Sequence, residues 1–392
     1  MSGTAVLVQY SSNYGGSTLS GHLVAQGLAD AGWDVHIAFG FNGPYVDVMR
    51  ELGFKTYVIP HKSWLRTSNP VRFVPHLWME RSAAEAIRAL YKAIVPDLVY
   101  VNTLVSLAPV LAARDLSIPT IWHIRELFSD VGGEMRCPGV LGRAFVRSVI
   151  SKLANQIIVP SRVVGENVLG RARAKDAMIV PNAVSEAFFR ARESVTNDRQ
   201  TLGLPEGVPV IGVPGTLRPV KGHSFLLRAV PKILAEEPAC YVAITGDGDE
   251  VYKRELKALT RKLGIEDHVC FLGTVNHMEE FFRACDVICV PSASESFGRT
   301  VIEAFACGTP VIATAVGGMR EIVRNGENGI LVEYGNAIQL AMEMTKLLRD
   351  AALRNRLVRQ GRLDAEQRFH EQQYRKQIGR IADRFALRHR SL

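Results

Sequence analysis

Short apolar runs alternate with longer stretches of helical spacing along almost the whole chain. In the first half the runs fall at 4–9, 34–39, 56–59, 98–102, 120–123, 156–159 and 178–180. In the second half they fall at 208–213, 240–245, 269–272, 287–290, 311–313 and 330–332. Near-continuous apolar strands separated by helices predict parallel sheets covered on both faces. The rhythm breaks over the polar stretch 190–200, which reads as a linker between two α/β halves. The expected organisation is therefore residues 1–190, a Rossmann-like doubly wound domain, and 201–370, a second one. A last helix, 371–392, has an apolar face (Tyr374, Ile378, Ile381, Phe385) that needs cover. It is expected to cross back to the first domain. Ligands of such sheets bind outside the carboxyl ends of the strands, so two facing domains would enclose a cleft.

Composition changes this picture little. The length of 392 residues fits two cores, and 47% apolar residues is ordinary for a globular chain. The net charge of +8, with a pI near 9.2, favours an anionic partner such as nucleotide phosphates or an acidic membrane surface. Nucleic acid rests on the pI alone and is not expected. The six cysteines, Cys137, Cys240, Cys270, Cys285, Cys289 and Cys307, form no Cys-x-x-Cys pair and read as reduced thiols in a cytoplasmic protein. No apolar run reaches membrane-spanning length, and no signal peptide is read at the N-terminus.

The most informative segment is Glu295-Ser296-Phe297-Gly298-Arg299-Thr300-Val301-Ile302-Glu303. An apolar strand precedes it, and a short helix begins near Arg299 and stops at Gly308. A strand, a loop and a helix N-terminus form a natural phosphate site. Glu295 is placed at the loop mouth, with Glu303 about two turns down the helix. Four further loops follow strands. Gly15-Gly16 is either a tight turn or a close approach to a ligand. The loop from Gly215 to His223 carries Arg218 and Lys221, which either neutralise a departing diphosphate or are solvated charges. Gly246-Asp247-Gly248-Asp249 reads as a turn admitting a nucleotide base; its two carboxylates are poor grounds for a metal, and none is expected. Gly317-Gly318 is another phosphate candidate. His123, at a strand's carboxyl end, is either a ligand contact or a packed histidine.

These pieces together resemble the nucleotide-sugar-dependent retaining glycosyltransferases of family 4, with the B-type fold. The resemblance rests on Glu295 to Glu303 with Phe297-Gly298, on Gly308-Thr309-Pro310 and on Gly317-Gly318. Gly15-Gly16, Val159-Pro160-Ser161, Val180-Pro181-Asn182, Lys221-Gly222, Gly246-Asp247-Gly248 and Phe271-Leu272-Gly273 agree in order. It implies that Glu303 holds the ribose of a UDP- or GDP-sugar, that Glu295 and His123 touch the sugar, and that Lys221 pairs with the diphosphate. The backbone of Gly298, Arg299 and Thr300 is implied to bind the distal phosphate, with Gly16 close by. The family commonly opens its cationic loop with Gly-Arg-Leu; here it is Gly215-Thr216-Leu217, and Arg218 stands two positions beyond the missing arginine.

The implied reaction moves a sugar to a carbohydrate or lipid-linked acceptor, as in cell-surface polysaccharide or glycolipid synthesis. The alternatives are a nucleotide-sugar epimerase on the same fold and a non-catalytic nucleotide-sugar binder. Two basic-aromatic stretches, 61–79 with Trp64 and Trp78, and 140–147 with Phe145, are either packed helices or a peripheral surface for an anionic bilayer.

Overall fold

A computed structural model describes residues 3–61, 63–65, 70–128, 139–190 and 195–390; the side chains of 70–79, 139–141, 195–197 and 389–390 lie outside the description. The chain forms two units. Among the described residues, the first comprises 3–128, 139–182 and 371–390, and the second comprises 183–370.

The first unit holds strands β1 (Thr4–Gln9), β2 (Asp34–Phe39), β3 (Lys55–Val58), β4 (Leu98–Val101), β5 (Thr120–His123), β6 (Gln156–Val159) and β7 (Met178–Ile179). They make one sheet in the order β3-β2-β1-β4-β5-β6-β7, with every pairing parallel. All four residues of β4 and of β5 are buried, as a sheet covered on both faces demands. The strand order reverses between β1 and β4. The carboxyl ends of these two strands are stitched together there, because Asn102 Nδ2 donates to Gln9 Oε1 at 2.7 Å.

Helix Glu371–Arg390 belongs to this unit and packs along helix Gly16–Asp30. The two backbones come close at glycines: a Cβ on Gly27 would sit 2.7 Å from the Arg375 carbonyl oxygen, and one on Gly379 would sit 2.7 Å from the Ala31 Cβ. Arg375 forks onto both oxygens of Asp30 at 2.7 Å, and the Trp33 indole donates to Asp383 at 2.9 Å. Tyr374, Ile378, Ile381 and Phe385 are all buried, so the apolar face of the tail is covered as its spacing requires.

The second unit holds β8 (Val210–Pro214), β9 (Tyr241–Thr245), β10 (Val269–Gly273), β11 (Val287–Val290), β12 (Val311–Thr314) and β13 (Ile330–Val332), also all parallel, in the order β10-β9-β8-β11-β12-β13. Its reversal lies between β8 and β11.

The expected linker 190–200 is placed differently. The chain passes between units at Asn182 and Ala183, and the polar stretch contains helix Val195–Thr201 (191–194 lie outside the described residues). Two of its charged residues, Asp198 and Arg199, are buried anchors. Arg199 donates to Asp286 at 2.8 Å and to the carbonyls of Ala284 and Val208, and Asp198 accepts from Arg283 at 3.0 Å. Polarity here marks an ion-paired helix rather than a solvated connection.

Candidate functional site

In the second unit the loops that leave β8 and β11 meet at the switch point. Ala293 N donates to the Val220 carbonyl at 2.8 Å and locks the two loops together. Gly222 makes this approach possible. It has φ 72°, and a Cβ there would lie 1.8 Å from the Pro291 carbonyl oxygen. Both the backbone angle and the clash exclude a side chain. Gly222→Ala is therefore expected to destabilise the fold by at least about 2 kcal/mol, read as a lower urea midpoint with an unchanged slope.

The contact brings Lys221 Nζ to 2.7 Å from Glu295 Oε2, with both side chains largely buried. One helix turn away, Arg299 Nε lies 2.6 Å from Glu303 Oε1. Glu303 thus stands a little over one turn into helix Arg299–Cys307, not two. Burial raises the Glu303 carboxyl pKa, and Arg299 partly opposes this. Gly298, at φ 103°, precedes the helix, and no side chain caps its N-terminus. Such an end presents backbone donors and the positive end of the helix dipole to an anion.

The remaining candidates divide. Arg218 is exposed and its side chain makes no hydrogen bond among the described residues, so Lys221, not Arg218, is the cation set beside Glu295. Phe297 is buried and packs edge-on against Phe369, at 6.0 Å between centroids; its ring belongs to the core rather than to a binding surface. Gly246 and Gly248 are required by their neighbours: a Cβ on either would fall 2.2 Å from the Gly215 oxygen or 2.4 Å from the Leu217 oxygen. Asp249 is occupied as a helix cap, accepting from Val251 N and Tyr252 N. Gly317-Gly318 backs the glutamate loop, since a Cβ on Gly317 would meet the Glu295 oxygen at 1.9 Å. The helix that follows has only four residues, which offers little of an anion site.

In the first unit Gly15 precedes helix Gly16–Asp30, with nothing within 4 Å of a Cβ built on it. His123 is fully buried at the end of β5. Its Nδ1 is 2.7 Å from the Tyr100 hydroxyl, and its Nε2 has no partner among the described residues. Burial, reinforced by the charge on Arg125, holds its pKa well below the ordinary value, so the ring is neutral. Trp64 and Val146, from the basic-aromatic stretches, are core residues; Phe145 is exposed, and the side chain of Trp78 lies outside the described residues.

Sequence reading missed His223 and Arg125. His223 opens the helix after Gly222 and is buried with its Nδ1 unpartnered; burial and the nearby Lys221 lower its pKa to about 4. Between that value and the unfolded value near 6.5, only the unfolded chain binds the proton. Stability therefore falls as pH drops through this window. Between pH 7 and pH 5, His223→Gln is expected to lose about 2 kcal/mol less than the parent in urea unfolding.

Two glutamates, a lysine and an uncapped helix end are gathered at the switch point of a parallel sheet, the place where ligands of such sheets bind. Residues 15–183 match the family described as "Glycosyl transferase 4-like domain", and residues 194–364 match "Glycosyl transferases group 1". The chain belongs to the group 1 glycosyltransferase family.

Its relatives include the D-inositol 3-phosphate glycosyltransferase of Xylanimonas cellulosilytica, 39% identical over 272 residues (66% of this chain, 64% of the relative). That of Acidothermus cellulolyticus is 36% identical over 249 residues (61% and 54%). The chain spans about half the length of several curated relatives it matches. Among solved structures, Anabaena HepE in complex with UDP and glucose superposes with a TM-score of 0.82 at 22% identity, covering 97% of this chain and 99% of that one. Sucrose-phosphate synthase from Thermosynechococcus elongatus gives 0.79 at 22%, covering 97% and 98%. At these identities the likeness establishes the two-domain B-type fold.

Proposed function

We propose that the protein is a glycosyltransferase that moves a sugar, with retention, from a UDP- or GDP-sugar to a carbohydrate or lipid-linked acceptor. The observation that carries this reading is the pairing of Lys221 with Glu295 beside the uncapped N-terminus of the helix bearing Glu303. A diphosphate seated there meets a fixed cation and backbone donors. Glu303, one turn in, takes the ribose hydroxyls, and Glu295 faces the sugar.

Each glutamate is committed to a different cation, so the reading does not treat them as the facing carboxylate pair of a glycosidase. The transition state is oxocarbenium-like. Lys221 and the helix N–H groups stabilise the departing diphosphate, which takes the acceptor's proton. The scheme is written without a metal.

HepE was solved with UDP, which places UDP first in a donor screen. The name shared by the relatives adds a phosphorylated polyol to the acceptors worth testing. No helix among the described residues is long and apolar enough to cross a membrane. Peripheral association with an anionic bilayer is proposed instead on the basic-aromatic stretch 140–147, where Phe145 is exposed, and is read as sedimentation with anionic vesicles at low salt. Absence of sedimentation removes that part of the proposal.

The reading is tested by incubating the protein with UDP-, GDP- and ADP-sugars, with and without acceptors, and following nucleoside diphosphate release. Acceptor-stimulated release supports transfer. An isomerised sugar that stays nucleotide-linked identifies an epimerase, and binding without release identifies a sensor.

A further inference from the structure

Arg125 is 8% exposed, and among the described residues no carboxylate pairs with it. Its guanidinium is met only by neutral groups. Nε donates to Asn102 Oδ1 at 2.7 Å, Nη1 to Asn182 Oδ1, and Nη2 both to the Tyr374 hydroxyl at 2.9 Å and to His123 Nδ1 at 3.2 Å. A buried charge without a counter-charge is a poor way to gain stability. The partners suggest another purpose. Asn102 stitches the switch point of the sheet. Asn182 closes the Val180-Pro181-Asn182 motif as the last residue of this unit before the chain leaves it, and Tyr374 lies on the helix by which the chain returns.

A guanidinium can only donate. Its hydrogen on His123 Nδ1 requires a lone pair there, which puts the ring proton on Nε2, the nitrogen that is buried and without a partner. The Tyr100 hydroxyl, also on Nδ1, can donate or accept, and so cannot choose the tautomer by itself. We propose that Arg125 is a positioning residue that fixes His123 as a neutral Nε2–H donor aimed at an oxygen of the sugar substrate. The proposal rests on the glycosyltransferase reading for the identity of that substrate; the geometry of the ring does not depend on it.

The test is ¹⁵N imidazole NMR of the full chain without nucleotide, with His123 assigned by its loss in His123→Gln. The parent is expected to show one tautomer, with the proton on Nε2; a proton on Nδ1 overturns the proposal. Tyr100→Phe, which keeps Arg125, should retain that single tautomer. Arg125→Met, which leaves only Tyr100, should release a mixture, and Arg125→Lys should restore part of the parent pattern. Donor turnover should fall about 10- to 100-fold in Arg125→Met, in kcat rather than KM. If a folded Arg125→Met keeps the parent tautomer and turnover, the proposal is wrong. If Arg125→Met does not fold, the parent and Tyr100→Phe spectra still decide. The spectra need no donor, so absence of turnover in the parent sinks the functional reading, whereas a wrong tautomer sinks only this inference.

Discussion

Replacing Lys221 with alanine is expected to lower donor turnover by about 100- to 1,000-fold, the usual cost of losing one preorganised group that meets developing charge. The lysine is held by a short turn between β8 and helix His223–Glu236, with its Nζ 2.7 Å from Glu295. When the glycosyl bond breaks, negative charge gathers on the leaving diphosphate, and Lys221 is the nearby fixed cation assigned to it. The substitution also removes the cation from beside a largely buried carboxylate. Lys221→Arg and Glu295→Gln are therefore needed as companions: the first should recover part of the rate, and the second should remove the negative charge beside Lys221 while weakening the sugar contact. Unchanged kcat and KM for Lys221→Ala would remove the lysine from the leaving-group role.

Glu303→Ala is expected to weaken nucleoside diphosphate binding by at least about 100-fold, because a carboxylate accepting two ribose hydroxyls contributes roughly 1.5–3 kcal/mol per charged hydrogen bond. It should also cost about 2–3 kcal/mol of stability, since Arg299 loses a partner at 2.6 Å in a poorly hydrated setting. Glu303→Gln separates the two effects: it keeps the volume and one acceptor, and most of the stability, but not the charge. The raised pKa of Glu303 adds a signature. Acidification protonates this carboxyl at a higher pH than an ordinary one, so nucleotide affinity should decline on acidification and the decline should flatten in Glu303→Gln. Calorimetric titration at several pH values reads both results.

Much of this architecture was legible because the strands are short, nearly unbroken apolar runs. β1, β2, β5, β6, β11 and β13 begin and end where the runs do, since both faces of a parallel sheet demand apolar residues throughout. The loop from Glu295 and the stop at Gly308 were equally plain, as Gly308 takes φ 71° directly after the helix. What stayed hidden depends on packing between distant segments. The stretch 190–200 looked like a solvated linker because Asp198 and Arg199 are charged, yet their partners lie some 85 positions later. Phe297 sat within a functional motif while its ring faces Phe369. Gly246, Gly248 and Gly317 carried the spacing of ligand loops, but it is other loops that press on them, and periodicity cannot report a contact between loops. Arg125 and His223 gave no warning at all: a charged or titratable residue just past a strand or at the start of a helix reads as surface until its burial is known.

The central claim is that the diphosphate of an activated sugar sits at the N-terminus of helix Arg299–Cys307, against Lys221, with its ribose on Glu303. A crystal structure of the protein soaked with UDP tests it most directly. Phosphate oxygens are expected within hydrogen-bonding distance of Lys221 Nζ and of the backbone N–H groups at 298–300, with both ribose hydroxyls on the Glu303 carboxylate. A nucleotide bound elsewhere, with Lys221 still closed on Glu295 and Glu303 turned away from the ribose, would contradict it.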